Sequence, residues 1–223
     1  MSDISVHTIE ARTHGRFLAR VPNAAPPWPL LVGFHGYAET AGDHMEALQT
    51  IPGSAEWLLV SVQGLHRFYT RKDRVVSSWM TREDRAYAIS DNIDYVGRLL
   101  DRVRSDYQTR APLVFSGFSQ GAAMAYRAAA HYRADALIIL AGDVPPDVVD
   151  DRPVPFPPVL IGRGTRDQWY TDAKEADDRA HLRKIGAHVE LCVFEGGHEW
   201  TDAFRVAAAA VLRRVTSHEA ARR

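Results

Sequence analysis

The sequence predicts an α/β fold: a mostly parallel central sheet with helices on both faces and an antiparallel hairpin at its N-terminal edge. Two observations carry that expectation. Runs such as Leu30-Leu31-Val32-Gly33-Phe34, Leu113-Val114-Phe115 and Ala136-Leu137-Ile138-Ile139-Leu140 are continuously apolar, as strands buried on both faces are, whereas half-exposed strands alternate. Segments of helical spacing lie between them, and a helix is the usual connection between parallel neighbours. At 223 residues and 46% apolar content, the chain is long enough for one sizeable core and short for two, so a single domain over 1–223 is expected.

The elements follow in order. Residues 4–10 and 16–21 alternate as strands do, and Thr13-His14-Gly15 between them is a plausible turn, which places a hairpin over 1–21. After Pro26-Pro27 the run Leu30 to Phe34 is a buried strand ending in His35-Gly36-Tyr37. Residues 43–51 read as a helix and 57–62 as the next strand. From Gly64 to Met80 the chain is basic, aromatic and irregular, an excursion over the top of the sheet. Ile89, Ile93, Val96, Leu100 and Val103 recur at helical spacing and mark a long amphipathic helix. A strand from Pro112 then runs into an Ala-rich helix. Strands at 136–142, 158–162 and 188–194 complete the sheet. A helix starting at Asp172, with Glu175 three residues on as in a capping box, stops at Gly186, and a last helix spans 201–215 before a charged tail at 217–223.

Charge and cysteine content exclude several classes. The net charge of −1 gives no electrostatic footprint for nucleic acid. No apolar run approaches the length of a membrane span, so a soluble protein of the cytoplasm is expected. Cys192 is the single cysteine and reads as a small core hydrophobe, with no intramolecular disulfide possible. The histidines lack metal-ligand spacing, so no metal and no cofactor are assigned.

The chemistry centres on Gly117-Phe118-Ser119-Gln120-Gly121, between a strand and a helix. There the backbone must reverse within two or three residues, and side chains at the flanking glycines would collide with the neighbouring strand or helix. Ser119 then stands at a helix N-terminus, where free N–H groups and the helix dipole favour developing negative charge. A helix cap is the alternative role for this serine.

In parallel sheets ligands bind where loops leave the carboxyl ends of strands. Besides Ser119, two such loops carry reactive residues: Gly162 to Asp167, and Glu195 to Glu199 with His198. The order Ser, Asp, His is that of hydrolases built on such sheets. His198 is placed to take the Ser119 proton as general base, and Asp167 to hold its tautomer, with Asp143 and Asp172 as other candidate acids, Asp172 being better explained as a helix cap. Oxyanion donors are expected from the backbone N–H of Gln120 and from that of Tyr37 in the loop after Phe34. Trp79 either lines the site or anchors the excursion in the core. Phe118 and Trp169 are further candidates for contact with substrate. Arg67, Arg71, Lys72 and Arg74 read as a solvated loop, or as a site greeting an anionic substrate group.

Phe34-His35-Gly36, Ser78-Trp79-Met80, the Gly-Phe-Ser-Gln-Gly elbow, Gly162 to Asp167 and Gly196-Gly197-His198-Glu199 together resemble the phospholipase/carboxylesterase family of α/β-hydrolases, which includes small bacterial carboxylesterases and acyl-protein thioesterases. The resemblance covers Pro29 to about Val215. It implies a cofactor-free serine hydrolase with Ser119, Asp167 and His198 as triad, Tyr37 and Gln120 as oxyanion donors, and a small-molecule ester as substrate. Thioesterase and lysophospholipase activities would use the same residues, and a ligand-binding module with an inactive site is the alternative of another class. Tyr37 stands where members often carry a small apolar residue, and Arg163 and Arg166 where small or apolar residues are common.

Overall fold

The computed structural model describes residues 4–148 and 155–221. Among the described residues a seven-stranded sheet, a two-stranded hairpin and five helices place the site. The strands are β1 (Arg16–Arg20), β2 (Trp28–Phe34), β3 (Leu58–Gln63), β4 (His66–Tyr69), β5 (Val75–Ser78), β6 (Thr109–Phe118), β7 (Ala136–Leu140), β8 (Val159–Gly164) and β9 (Val189–Phe194). The helices are α1 (Ala41–Gln49), α2 (Arg85–Asp106), α3 (Gln120–His131), α4 (Asp172–Lys184) and α5 (Asp202–Ala221). The sheet runs β1-β3-β2-β6-β7-β8-β9, parallel throughout except for β1, which pairs antiparallel with β3.

Apolar runs occupy the centre as expected. Leu31, Val32, Val60, Val114, Phe115, Ile138, Ile139 and Ile161 are fully buried, each such side chain contributing about 1.5–3 kcal/mol relative to exposure. Side-chain packing assigns the layers. A methyl on Gly33 would meet His44 and Leu48 of α1, and one on Gly162 would meet Phe204 of α5, so these helices share a face. A methyl on Gly117 would instead strike α3, which lies on the opposite face with α2, whose Gly97 abuts Tyr132 at the end of α3.

Several local expectations are corrected. The antiparallel N-terminal edge is present, but its partner is β3; residues 4–15 form no regular structure, and Ile4 and Ile9 are 94% exposed. Alternation alone gave these residues no sheet to join. The stretch read as irregular from Gly64 to Met80 contains the β4–β5 hairpin, with His66 opposite Ser78 and Tyr69 opposite Val75. Thr171, not Asp172, caps α4, its hydroxyl accepting from the Lys174 N–H, and Glu175 is buried against Arg163 and Arg179. Helix α5 continues through Ala221, over much of the expected tail; residues 222–223 lie outside the described residues. Among the described residues no helix is long and apolar enough to cross a membrane.

Candidate active site

Ser119 sits between β6 and α3 at φ 53° and ψ −121°, a left-handed conformation that costs a non-glycine residue about 1–3 kcal/mol. The surroundings hold it there. Its N–H donates to the Leu140 carbonyl at 2.9 Å. A methyl on Gly121 would lie 2.0 Å from the Phe34 carbonyl oxygen, and one on Gly117 2.4 Å from that of Gly121. The two glycines therefore let β2, β6 and α3 meet at one point. Ser119 makes no side-chain capping bond, so the helix-cap role does not account for it.

The loops after β8 and β9 are joined backbone to backbone. Thr165 N–H donates to the Phe194 carbonyl at 2.9 Å and Arg166 N–H to that of Gly196 at 2.8 Å. This brings Asp167 and His198 together, with Nδ1 of the imidazole 2.8 Å from Asp167 Oδ2. A carboxylate oxygen accepts, so Nδ1 carries the hydrogen and Nε2 keeps its lone pair. The other carboxylate oxygen, Oδ1, accepts from the N–H groups of Trp169 at 2.8 Å and Tyr170 at 3.0 Å. The Asp167 side chain is fully buried. Ser119 Oγ makes no hydrogen bond to His198; the link between them is Phe118, whose ring lies 5.0 Å from the imidazole, centroid to centroid. Of the other candidate acids, Asp143 pairs with Lys174 at 3.1 Å instead, and Asp172 opens α4.

The loop after β2 faces this pair from the other side. Its amides are nearly all spoken for: Gly36 N–H donates to Glu39 Oε2 at 2.7 Å, Ala38 N–H to the Ser77 carbonyl at 3.0 Å, and Glu39 N–H to the Gly36 carbonyl at 3.3 Å. Among the described residues Tyr37 N–H has no acceptor. The Gln120 N–H, at the first position of α3, is equally without an intrahelical partner. Both expected oxyanion donors thus have free N–H groups beside the elbow.

His35 anchors this loop. Its Nε2 accepts from Gly64 N–H at 3.0 Å, which leaves the proton on Nδ1 to donate to the Gly36 carbonyl at 2.6 Å. Burial pushes its pKa down, holding the ring neutral. Ser77 Oγ lies 2.9 Å from the same Nε2 and also accepts from the Gln63 amide. The Gln120 side chain ties the elbow to the segment after the hairpin: Oε1 accepts from Trp79 N–H at 3.0 Å, and Nε2 donates to the Met80 carbonyl at 3.2 Å.

The residues expected to touch substrate are distributed differently. Trp79 is fully buried, its indole N–H donating to the His35 carbonyl at 2.8 Å and its ring against Phe34, so it supports the loop after β2 and does not line the site. Phe118 is also buried, wedged between His198 and Trp200. Trp169 is 75% exposed. The Tyr37 ring is exposed and stacks on Phe68 of β4, 5.5 Å between centroids. Arg163 and Arg166 pair with Glu175 and Glu195, and Arg74 of the basic hairpin pairs with Asp43. Sequence reasoning missed Glu39, Gln63 and Ser77, and the side-chain role of Gln120. Their signal is spatial, since they act on segments up to 42 residues away. Among the described residues no group of three His, Cys, Asp or Glu is placed to hold a metal ion.

This architecture, with a serine at positive φ between strand and helix, is the α/β-hydrolase fold. Esterase PE8 matches with TM-score 0.69 and 24% identity over 90% of this chain and 98% of that one. A Bacillus cereus carboxylesterase matches with TM-score 0.69 and 18% identity over 90% and 94% of the two chains, and Zea mays acyl-protein thioesterase 2 with TM-score 0.72 and 17% identity over 90% and 99%. No protein-family model matches the sequence, and no curated protein matches it.

Proposed function

We propose that the protein is a serine hydrolase of the carboxylesterase type, one α/β domain that cleaves small-molecule carboxylic esters through an acyl-enzyme on Ser119. The observation that carries this reading is the Asp167–His198 hydrogen bond at the same end of the sheet as a serine held at positive φ. With Nδ1 donating to Asp167, Nε2 of His198 takes the Ser119 proton as Oγ attacks the ester carbonyl. Asp167 stabilises the imidazolium that forms. The carbonyl oxygen becomes an oxyanion, which the Gln120 and Tyr37 N–H groups receive. Collapse of this intermediate breaks the ester C–O bond, and His198 returns the proton to the leaving alkoxide. Water, deprotonated by His198, then attacks the acyl-enzyme and releases the acid and free Ser119. The structural likeness to esterases and to an acyl-protein thioesterase supports the same chemistry.

The test is labelling of wild type, Ser119→Ala and His198→Ala by a fluorophosphonate probe, with hydrolysis of p-nitrophenyl esters of increasing chain length and of matched thioesters. Labelling and hydrolysis that need both residues are expected, and the better substrate series assigns ester or thioester preference. A folded wild type that binds these esters without labelling or turnover overturns the reading in favour of a binding module.

A further inference from the structure

The loop after β2 contains a carboxylate that the proposed reaction does not use. Glu39 holds Gly36 at both ends: its side-chain Oε2 accepts from the Gly36 N–H at 2.7 Å, and its own N–H donates to the Gly36 carbonyl at 3.3 Å. His35 Nδ1–H bonds that same carbonyl at 2.6 Å. The Gly36 carbonyl and the Tyr37 N–H belong to one trans peptide plane and point in opposite directions, so fixing the carbonyl fixes the N–H. Beyond Tyr37, the Ala38 N–H is bound to the Ser77 carbonyl, and Ser77 N–H returns to the Glu39 carbonyl at 3.0 Å. Every neighbouring amide is therefore tied down, and the one left free is the expected oxyanion donor.

We infer that Glu39 is a positioning residue: its clamp on Gly36 aims the Tyr37 N–H at the oxyanion. The inference rests on the serine-hydrolase reading and deepens it. Removing the side chain frees the Gly36 N–H, which belongs to the preceding His35–Gly36 peptide; the Gly36–Tyr37 plane keeps its two bonds at the carbonyl but loses the anchor on Gly36 about which it pivots, and can rock away from the aim the intermediate requires. Because the oxyanion forms only after attack, this loss falls on the transition state and spares the ground state. Glu39 is also held close to the reacting groups. A methyl on Gly36 would lie 3.1 Å from both Glu39 Oε2 and the Phe118 ring, and that ring packs on His198. Burial raises the Glu39 pKa and Asp43 adds to the rise, while the Gly36 N–H, His198 and Arg74 oppose it. A hydrogen-bond acceptor is what the clamp needs, and a neutral one serves.

The experiment compares Glu39→Ala, Glu39→Asp and Glu39→Gln with wild type in kcat, KM and inhibition by an alkyl boronic acid, whose serine adduct places an oxygen at the oxyanion donors. Losing a donor outright costs about 10²–10³ in rate, so misaiming one is expected to lower kcat roughly 10–100-fold in the Ala variant, with KM within about threefold. Boronate affinity should fall in parallel. Glu39→Asp, one methylene too short to reach, should resemble Ala and serves if Ala fails to fold; Glu39→Gln, which keeps the acceptor and drops the charge, should stay within about threefold of wild type. An unchanged kcat in Ala and Asp, a rise in KM alone, or a Gln variant as impaired as Ala overturns the inference while wild-type turnover leaves the hydrolase reading standing. A wild type without labelling or turnover overturns both.

Discussion

On the side of Ser119 built from the loops after β8 and β9, a carboxylate is the hub. Asp167 accepts from Trp169, Tyr170 and His198, and all these residues lie within a few positions of a strand end. On the side built from the loop after β2 and the β4–β5 hairpin, the hub is backbone. Tyr37 N–H is positioned by what happens to the amides and carbonyls around it, through His35, Glu39, Ser77 and Trp79. Under the proposed function the two sides do different chemistry, and each is built to suit its part. Moving a proton requires a side chain with a chosen tautomer, which one charged partner can fix. Receiving an oxyanion requires only aim, which many bonds to backbone share. One side should therefore fail sharply at a single residue and the other by degrees.

The sharpest break is Asp167→Asn. The amide can donate as well as accept, so it no longer selects the Nδ1–H tautomer and cannot stabilise the imidazolium. A fall in kcat of about 10³–10⁴ is expected with the fold intact, measured by ester hydrolysis alongside thermal unfolding. A loss of only tenfold would mean that this side too shares its load, and the contrast would collapse.

Titration separates the two sides again. His44 of α1, just beyond the loop after β2, is fully buried with neither ring nitrogen hydrogen-bonded, and burial drives its pKa down to about 3, with His35 adding to the shift. The unfolded chain binds the proton at about pH 6.5, so stability is complete above that value and falls as pH drops toward 3. A loss of about 2–3 kcal/mol between pH 6.5 and 4.5 is expected in urea unfolding, and His44→Leu should remove that dependence. Asp178 of α4, which accepts the Tyr170 hydroxyl at 3.0 Å, runs the other way: burial raises its pKa to about 6. Here the folded state holds the proton more tightly, so the contribution is complete below about pH 4 and lost as pH rises through 6. Asp178→Asn should gain about 1–3 kcal/mol at pH 8 and little at pH 4, as thermal unfolding at both pH values would read.

Trp79→Phe probes the side held by bonds to backbone at one link. It removes the indole N–H from the buried His35 carbonyl and leaves that oxygen unpaired, at about 1–3 kcal/mol in stability, and loosens the loop enough to lower kcat several-fold. The same link explains what could be read from sequence. The elbow was legible because its constraint is local: Gly117 and Gly121 flank Ser119, and both are where a methyl would strike backbone. Asp167 and His198 were legible because each follows an apolar strand. Trp79 was ambiguous because its partner is 44 residues away, and Glu39 was invisible because accepting from Gly36 needs a turn that the sequence does not announce. The hairpin escaped notice for a related reason. His66-Arg67-Phe68-Tyr69 and Val75-Val76-Ser77-Ser78 are short and poorly alternating, and they become strands by pairing with each other. Conversely, residues 4–10 alternate well and pair with nothing in the sheet.

The smallest expected effect lies at the outer edge of the same side. Arg74 at the end of the hairpin reaches Asp43 in the first turn of α1, with Nη2 2.6 Å from Oδ2, and Asp43 in turn accepts from the Thr40 N–H at 2.8 Å as part of the helix's capping box. The arginine holds the Asp43 pKa down against burial, which favours the charged carboxylate that the cap uses. Yet Arg74 is 56% exposed, and an ion pair open to water and salt is worth about 1 kcal/mol or less. The hairpin keeps its backbone bonds from Ser77 to Ala38 and Glu39 without it. Arg74→Ala is therefore expected to cost under about 1 kcal/mol in unfolding at low salt, less at high salt, and to leave kcat within about twofold. A tenfold loss of kcat would show that aim at Tyr37 depends on a surface charge as well as on the bonds to backbone, and would redraw the boundary between the two sides.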